Sequence, residues 1–531
     1  MAEKTTEGIE YNGAVKSAEE LAREQREISI SEFFEKNRHL LGYDNKTKAL
    51  MIIVKEAVDN ALDACEEARI LPEIYVKVEE VEEEKYKIVV RDNGPGIVKK
   101  NIPKIFGTLL YGSKFHRLRQ SRGAQGLGIS CAVLYSQLTT GMPTEILSST
   151  GDGVTHRYKL KINVKKNEAD VLEEESIDMG KWHGVQITFF AEGVYKEHKQ
   201  SILEYLKQTA MTNPYAYIIF DAPTGRIEFT RAVDSLPVEA KEINPHLHGV
   251  EIGMLERMLH DTKARSLQSF FVTEFTRVGS TTAKQICEKA GIDPRTSPRR
   301  VTDEQLRQLM KAIKETKLLA PPTDVLSPLG EELIEKGMKK ELAPEFVVAV
   351  SRSPAVYRGW PFQIEVGLAY GGQIQEARLY RFANRVPLLY KQGDCAITHA
   401  VEEIDWKRYG IEGEMQIGKA GSPPIAIFVH ICSVWVPFTS ESKEAVASYP
   451  IIIKETKLAI QDAARKLSLY LSGKRKAEWQ SQRLKTFEKY ADETARALAE
   501  LVAKPKEEIK AMILEIIKKG EFVEDEENGK G

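Results

Sequence analysis

The chain has 531 residues, with 76 Lys and Arg against 78 Asp and Glu, a net charge of -2 at pH 7, and 42% hydrophobic residues. That length is too great for one core and predicts about three domains. The near balance of charge excludes a global attraction to nucleic acid, so any DNA contact must come from local clusters. Five cysteines, Cys65, Cys131, Cys287, Cys395 and Cys432, lie far apart with no Cys-x-x-Cys. This spacing argues against zinc ribbons and disulfide frameworks, points to a reducing compartment, and predicts buried packing cysteines. Met1-Ala2-Glu3-Lys4 opens no signal pattern, and the most apolar stretch, 423–438, is short and interrupted by His430 and Ser433. No membrane span is expected, and the expected location is cytoplasmic.

In chain order, residues 1–26 are polar, with one weakly helical patch at 17–26 in a composition otherwise typical of disorder. Residues 31–36 start a short helix that breaks near Gly42. A longer helical run follows from Lys48, with Val54, Val58, Ala61, Leu62 and Cys65 on one stripe and Glu56, Asn60 and Asp63 on the opposite one. Glu56 and Asn60 are neighbours at i, i+4, so a carboxylate and an amide can converge on one ligand. The amide oxygen suits a hard cation and the carboxylate a water, while the alternative reading is a solvated face.

Ile74, Val76 and Val78 alternate, as do Tyr86, Ile88 and Val90, around the acidic turn Glu82-Glu83-Glu84, which predicts a hairpin. Asp92 follows where the second strand runs out into Asn93-Gly94-Pro95-Gly96. A carboxylate there can accept a hydrogen bond from an exocyclic amine while the glycines admit a flat ring, although an ordinary turn has the same composition. The polar, glycine-punctuated connection 107–125 is a candidate lid. Gly123-Ala124-Gln125-Gly126-Leu127-Gly128 precedes an apolar run, 129–134, that reads as a helix whose free amides would cradle phosphates. Further strands are expected at 144–148, 158–162 and 185–190, giving a half-buried sheet with helices on one face.

Together, in this order and spacing, the three parts resemble the N, G1 and G2 boxes of the GHKL ATPases: gyrase, the heat-shock chaperone, histidine kinases and the mismatch-repair ATPase. The resemblance implies a Bergerat-type fold with ATP and Mg2+ as cofactors. By that likeness Asn60 holds magnesium, Glu56 prepares the attacking water, Asp92 reads adenine, and Gly94 and Gly96 line the pocket. Gly123, Ala124, Gln125, Gly126, Leu127, Gly128, Ile129 and Ser130 form the phosphate loop and helix start. Ser113 and Lys114, in Tyr111-Gly112-Ser113-Lys114-Phe115, match a lid position that touches nucleotide. One departure stands out: the usual Gly-Thr of the third box is Gly184-Val185, within Trp182-His183-Gly184-Val185, so a threonine hydroxyl near the adenine is absent or replaced.

From 250 to 317 the sequence turns helical, with Leu255, Leu259, Phe270, Phe271, Phe275, Ala283, Ile286 and Cys287 at core spacing, and Val278-Gly279-Ser280-Thr281-Thr282 before a helix start. This segment resembles the helix-two-turn-helix module of the type IIB topoisomerase ATPase subunits, whose helix starts meet DNA phosphates. Arg295, Arg299 and Arg300 nearby read better as a solvated basic loop than as a phosphate contact. Strands are expected at 362–366 and 425–430, and 378–390 reads as a long, half-polar strand pair. That stretch and Asp405-Trp406-Lys407-Arg408-Tyr409-Gly410 closely resemble the transducer of the topoisomerase VI ATPase subunits. Lys443, in the loop 436–444, reads from its surroundings as a solvated charge. The resemblance makes it instead the switch lysine that reaches the terminal phosphate, where a cation stabilises charge on the transferred phosphoryl group. After Pro450, helical sequence runs nearly to Lys519 with breaks at Ser472-Gly473 and Lys504-Pro505, implying a stalk that docks an A subunit, and 521–531 reads as disordered.

The expected fold class is α+β: a Bergerat sandwich, a helical module, and an α/β transducer with a long C-terminal helix. The expected units are an N-terminal strap at 1–30, the ATPase domain at 31–246, the helix-two-turn-helix domain at 247–322, the transducer at 323–472, and a helical extension with acidic tail at 473–531. The implied function is the ATP-hydrolysing subunit of a type IIB topoisomerase, whose ATP-driven homodimer closure captures double-stranded DNA. No acidic cluster spaced for metal sits beside a candidate tyrosine nucleophile, so cleavage requires a partner, the A subunit of an A2B2 heterotetramer. A GHKL chaperone or mismatch-repair clamp shares the pocket but lacks the sequences at 378–390 and 405–410. A histidine kinase is disfavoured because His39, the only histidine ahead of the first box, is not on a paired dimerisation helix. A non-hydrolysing nucleotide sensor is a third alternative, separated by single-turnover hydrolysis in wild type and Glu56→Ala.

Overall fold

The computed structural model describes residues 17–25, 27–112, 117–123, 126–440 and 442–516. Residues 1–16 of the expected strap, the acidic tail, and Ser113, Lys114, Ala124 and Gln125 of the expected site lie outside the described residues. The chain begins with two short helices, α1 (Ala18–Glu24) and α2 (Ile30–Lys36), and a one-turn 3-10 segment closed by Gly42 in a left-handed conformation. Helix α3 (Lys46–Glu67) follows, its free N-terminal amides of Thr47 and Lys48 capped by the Asn45 side chain.

The first sheet has eight strands: β1 (Glu73–Glu82), β2 (Lys85–Arg91), β3 (Thr144–Ser149), β4 (Thr155–Asn163), β5 (Glu168–Ile177), β6 (Gly184–Glu192), β7 (Tyr217–Ala222) and β8 (Gly225–Phe229). Their order is β5-β4-β3-β6-β2-β1-β7-β8, antiparallel except for the β1–β7 pair. Because side chains alternate across a strand, the register Val76↔Val90 and Val78↔Ile88 sends one apolar row from each strand to the same face. That face is covered by α3, α4 (Ile102–Gly107), α5 (Gly128–Thr140) and α6 (Ile202–Thr212), which close a single core around Ile53, Leu62, Val76, Ile88, Leu134 and Tyr205. The edge strand β5 is almost wholly exposed, with acidic side chains outward.

Four helices, α7 (Ile252–Asp261), α8 (Leu267–Glu274), α9 (Ser280–Lys289) and α10 (Asp303–Glu315), surround their own core of Leu255, Phe270, Phe271, Ile286 and Leu309. Capping boxes at Ser266 and Thr302 start α8 and α10.

After α11 (Glu331–Leu342) comes a second sheet of β9 (Phe346–Ser351), β10 (Ala355–Tyr357), β11 (Trp360–Tyr370), β12 (Arg378–Ala383), β13 (Val386–Pro387) and β14 (Ile425–Ser433). Strand β14 is buried along all nine residues, because α11 lies on one face of the sheet and α12 (Ala396–Glu402) and α13 (Pro450–Val502) on the other. The half-polar stretch at 378–390 is β12 returning as β13 through Asn384 and Arg385, both with positive φ (47° and 68°). Helix α13 runs 53 residues without the break expected at Ser472-Gly473. Around Gly473 the helix is held to the sheet by Tyr470, which stacks on Phe346 at 4.1 Å between centroids, and by Lys474, which pairs with Glu345 at 2.7 Å, contacts that oppose the roughly 1 kcal/mol helical cost of a glycine. The helix ends where expected, on Ala503 in a left-handed conformation before Pro505, and residues 506–516 are helical again. All five cysteines are buried and free. Among the described residues, no helix is long and apolar enough to cross a membrane.

Candidate active site

The polar face of α3 looks into a cavity of about 320 Å³ closed by the β2 end, the glycine loop, and a loop from the second sheet. Glu56, Asn60, Asp92, Gly96, Gly123, Gly126, Leu127, Gly128, Ile129 and Lys443 all line it. The apolar walls are Val90, Ile105, Phe106, Ile187 and Cys131, a surface suited to a flat heterocycle.

Asp92 sits where β2 ends, and its Oδ1 accepts hydrogen bonds from the backbone N–H of Gly94 at 2.8 Å and of Val185 at 3.1 Å. Burial pushes its carboxyl up to about 6, against the pull of these two amides and of the nearby His183. Residue 185 therefore meets Asp92 through its main chain, which a valine supplies as well as a threonine. Gly96 has φ of +72° and lies against the Ser149 carbonyl, leaving no room for a Cβ. Gly94 supplies its amide to Asp92 and does not line the cavity.

Among the described residues helix α5 starts at Gly128 with no side-chain cap, and its start lines the cavity beside Gly126 and Leu127, where helix N-terminal amides favour an anion. At Gly128 a Cβ would enter the space of the Glu56 carboxylate and displace it. Ser130 is turned away, its hydroxyl donating to the Thr108 carbonyl at 3.1 Å.

Lys443 enters from the loop after β14 in a left-handed conformation (φ 52°). Its Nζ donates to the Arg122 carbonyl at 3.0 Å. Burial drives its pKa below the ordinary lysine value, with Glu56 opposing and Lys55 adding to that effect. The neighbouring Glu444 fastens this loop down, its buried carboxylate lying 2.6 Å from Lys48 Nζ on α3 and 3.2 Å from Lys391 Nζ. Arg122 in turn is gripped by Asp63 at 2.8 Å and by Glu66, and Arg385 from the β12–β13 turn pairs with the other oxygen of Glu66 at 2.8 Å. Burial alone would push the Glu66 carboxyl up, but the two guanidiniums hold it below the ordinary range.

Among the described residues no group of three His, Cys, Asp or Glu is placed to hold a metal. One amide oxygen donor, Asn60, beside Glu56 fits an ion that arrives with a triphosphate better than an all-protein cage.

Two family models match the chain: one described as "Histidine kinase-, DNA gyrase B-, and HSP90-like ATPase" over residues 45–164, and one as "Topoisomerase VI B subunit, transducer" over residues 321–483. The chain is 50% identical to the type 2 DNA topoisomerase 6 B subunit of Methanococcoides burtonii over 464 residues, covering 86% of this chain and 74% of that one. The chain belongs to the topoisomerase VI B-subunit family. The B subunit of Archaeoglobus fulgidus is likewise 50% identical over 459 residues, covering 86% and 76% of the two chains. That of Pyrococcus horikoshii is 40% identical over 560 residues, covering 96% and 98%. As a topoisomerase VI B-type chain it has a GHKL ATPase fold joined to a transducer, binds nucleotide, and is an ATP-driven subunit of a type IIB DNA topoisomerase.

Sequence reasoning missed several groups in this topoisomerase VI B-type site. Lys55, Tyr43, Ile105, Phe106 and Ser442 line the cavity, and Arg122 seats Lys443. Lys55 was legible only as a lysine on the apolar side of an amphipathic helix, and Arg122 only as a charge beside the glycine loop.

Proposed function

We propose that this site hydrolyses ATP between Glu56 and Lys443, and that hydrolysis times the opening of a gate formed by two copies of the chain. The observation that carries the reading is the presence, in one cavity, of Glu56 and Asn60 from α3 and Lys443 from the transducer. Asp92 accepts the adenine amino group, the α5 amides and the loop Gly123–Ile129 hold the phosphates, and Glu56 takes the proton of the attacking water, a contribution of roughly 10²- to 10⁴-fold. Lys443 stabilises the charge that develops on the transferred group, and its lowered pKa, raised again by a triphosphate, fits a cation seated by its ligand. Asn60 would hold the Mg2+, which supplies charge neutralisation on the phosphates when bound.

The finer assignments belong to the same proposal. Residues 31–246 form the ATPase unit, 247–322 the helix-two-turn-helix domain, 323–472 the transducer, and the helix beyond docks a DNA-cleaving A subunit in an A2B2 assembly that acts on double-stranded DNA, with 1–30 as the N-terminal strap. The location is cytoplasmic. A chaperone or repair clamp is disfavoured by the transducer match at 321–483.

The test is co-expression with an A subunit and assay of ATP-dependent relaxation and decatenation. Lys443→Ala is expected to bind nucleotide but to lose hydrolysis and strand passage at least tenfold. Full ATP-dependent relaxation by that variant would overturn the proposal.

A further inference from the structure

Among the described residues two cations line the cavity, Lys443 and Lys55, and the mechanism above does not use Lys55. Lys55 lies one residue before Glu56 on α3 and is buried, where an ammonium is stable only if paired. Its Nζ lies 3.1 Å from Glu56 Oε1 and 2.8 Å from Asp59 Oδ2. The other oxygen of Asp59 accepts the hydroxyl of Tyr205 at 2.8 Å, and Tyr205 belongs to α6, fully buried in the core. Burial works against the Lys55 ammonium, but Asp59 and Glu56 outweigh it and hold the group charged.

The arrangement has an anchored end and a working end. Tyr205 fixes Asp59, Asp59 fixes Lys55, and Lys55 holds one oxygen of Glu56. The second oxygen of Glu56, Oε2, lies over Gly128 at the α5 start, where a Cβ would displace it. An adjacent pair on a helix does not face the same way by default, and Asp59 at i+4 holds the Lys55 ammonium where it also reaches Glu56. A carboxylate on a surface helix samples several rotamers, whereas a general base must stay within hydrogen-bond reach of its water.

We propose that Lys55, braced by Asp59 and Tyr205, is the positioning residue of this ATPase: it fixes the Glu56 carboxylate in the orientation that leaves Oε2 facing the phosphate loop. The inference rests on the reading of Glu56 as the general base. It assigns to Lys55 no contact with nucleotide.

The test measures single-turnover ATP hydrolysis and equilibrium binding of a non-hydrolysable ATP analogue in the full chain, for Lys55→Met, Tyr205→Phe, Glu56→Gln and the double variant Lys55→Met/Glu56→Gln. Lys55→Met is expected to slow hydrolysis 10- to 1,000-fold and Tyr205→Phe about 3- to 10-fold, with analogue affinity within threefold of wild type in both. In the Glu56→Gln background, Lys55→Met is expected to slow hydrolysis no further, because its effect passes through that carboxylate. The proposal is overturned if Lys55→Met slows the Glu56→Gln enzyme by the same factor as wild type, or if it weakens analogue binding tenfold while leaving the hydrolysis rate unchanged. Should Lys55→Met fail to fold, Tyr205→Phe decides alone: an unchanged hydrolysis rate refutes the brace. Full turnover by Glu56→Gln would instead refute the base assignment, a result separate from either of these.

Discussion

Asp92 carries a cost that the apo protein bears for its ligand, and replacing it with asparagine exposes that cost. In the folded chain its carboxyl titrates at about 6 rather than at the ordinary 3.8, so between those pH values the folded state holds a proton that the unfolded state has released. Stability conferred by this group is therefore complete below pH 3.8 and is lost as pH rises through about 6. At neutral pH the loss is on the order of 3 kcal/mol. Asparagine keeps an oxygen for the amides of Gly94 and Val185 and removes the buried charge, so Asp92→Asn without nucleotide is expected to be more stable by about 1 to 3 kcal/mol. The same change turns an N–H2 group toward the adenine amine, donor against donor. Losing a charge-assisted hydrogen bond of roughly 1.5 to 3 kcal/mol should weaken nucleotide binding on the order of 10- to 100-fold. Thermal unfolding without ligand and titration of a non-hydrolysable analogue from pH 5 to 8 measure the two effects. Wild-type affinity should also fall as pH drops through about 6, more steeply than that of the variant, whose remaining slope reports the phosphates. An apo variant no more stable than wild type, together with parallel pH profiles, would refute the reasoning.

Two further substitutions probe the seams around the cavity. Gly128→Ala places a methyl in the Glu56 carboxylate at the first turn of α5, so turnover should fall at least tenfold while circular dichroism is unchanged, and single-turnover hydrolysis reads the loss. Arg385→Met strips one of two guanidiniums from the half-buried Glu66, which keeps Arg122, and should cost about 1 to 3 kcal/mol in urea unfolding at pH 7. Because the pKa of Glu66 is held down, that seam is stabilising at neutral pH and fades as pH falls through the depressed value. Adding Glu66→Gln to Arg385→Met should recover part of the loss.

Much of this architecture was readable from spacing. The stripe Val54, Val58, Ala61, Leu62, Cys65 is buried, and the opposite pair Glu56 and Asn60 faces the cavity, because helical periodicity alone decides which residues share a face. The β1–β2 hairpin followed from alternation in the same way. Strand β5 was not legible, since an exposed acidic edge strand buries no row of side chains and leaves no period to detect. Strands β7 and β8 were missed as well. Gly473 misled because local propensity signals a helix break, whereas packing of the transducer against α13 overrides it. Asp63 read as part of the free polar face of α3 but is committed to Arg122, a partner 59 residues away that no helical wheel contains. Lys443 shows the limit most plainly: its own surroundings read as solvent, and only the fold brings the loop after β14 over α3.

Helix α13 has a mechanical consequence. Its first half is clamped in the transducer as far as Leu471, and the part from 472 to 502 leaves that core. At 1.5 Å per residue this projecting rod is roughly 46 Å long, so a tilt of about 10° at its clamped base would sweep its tip by about 8 Å. The loop bearing Lys443 joins the same clamp just upstream of Pro450. If that loop moves with its ligand and tilts the clamp, the motion is magnified at the far end, with leverage set by the length of an uninterrupted backbone hydrogen-bond ladder.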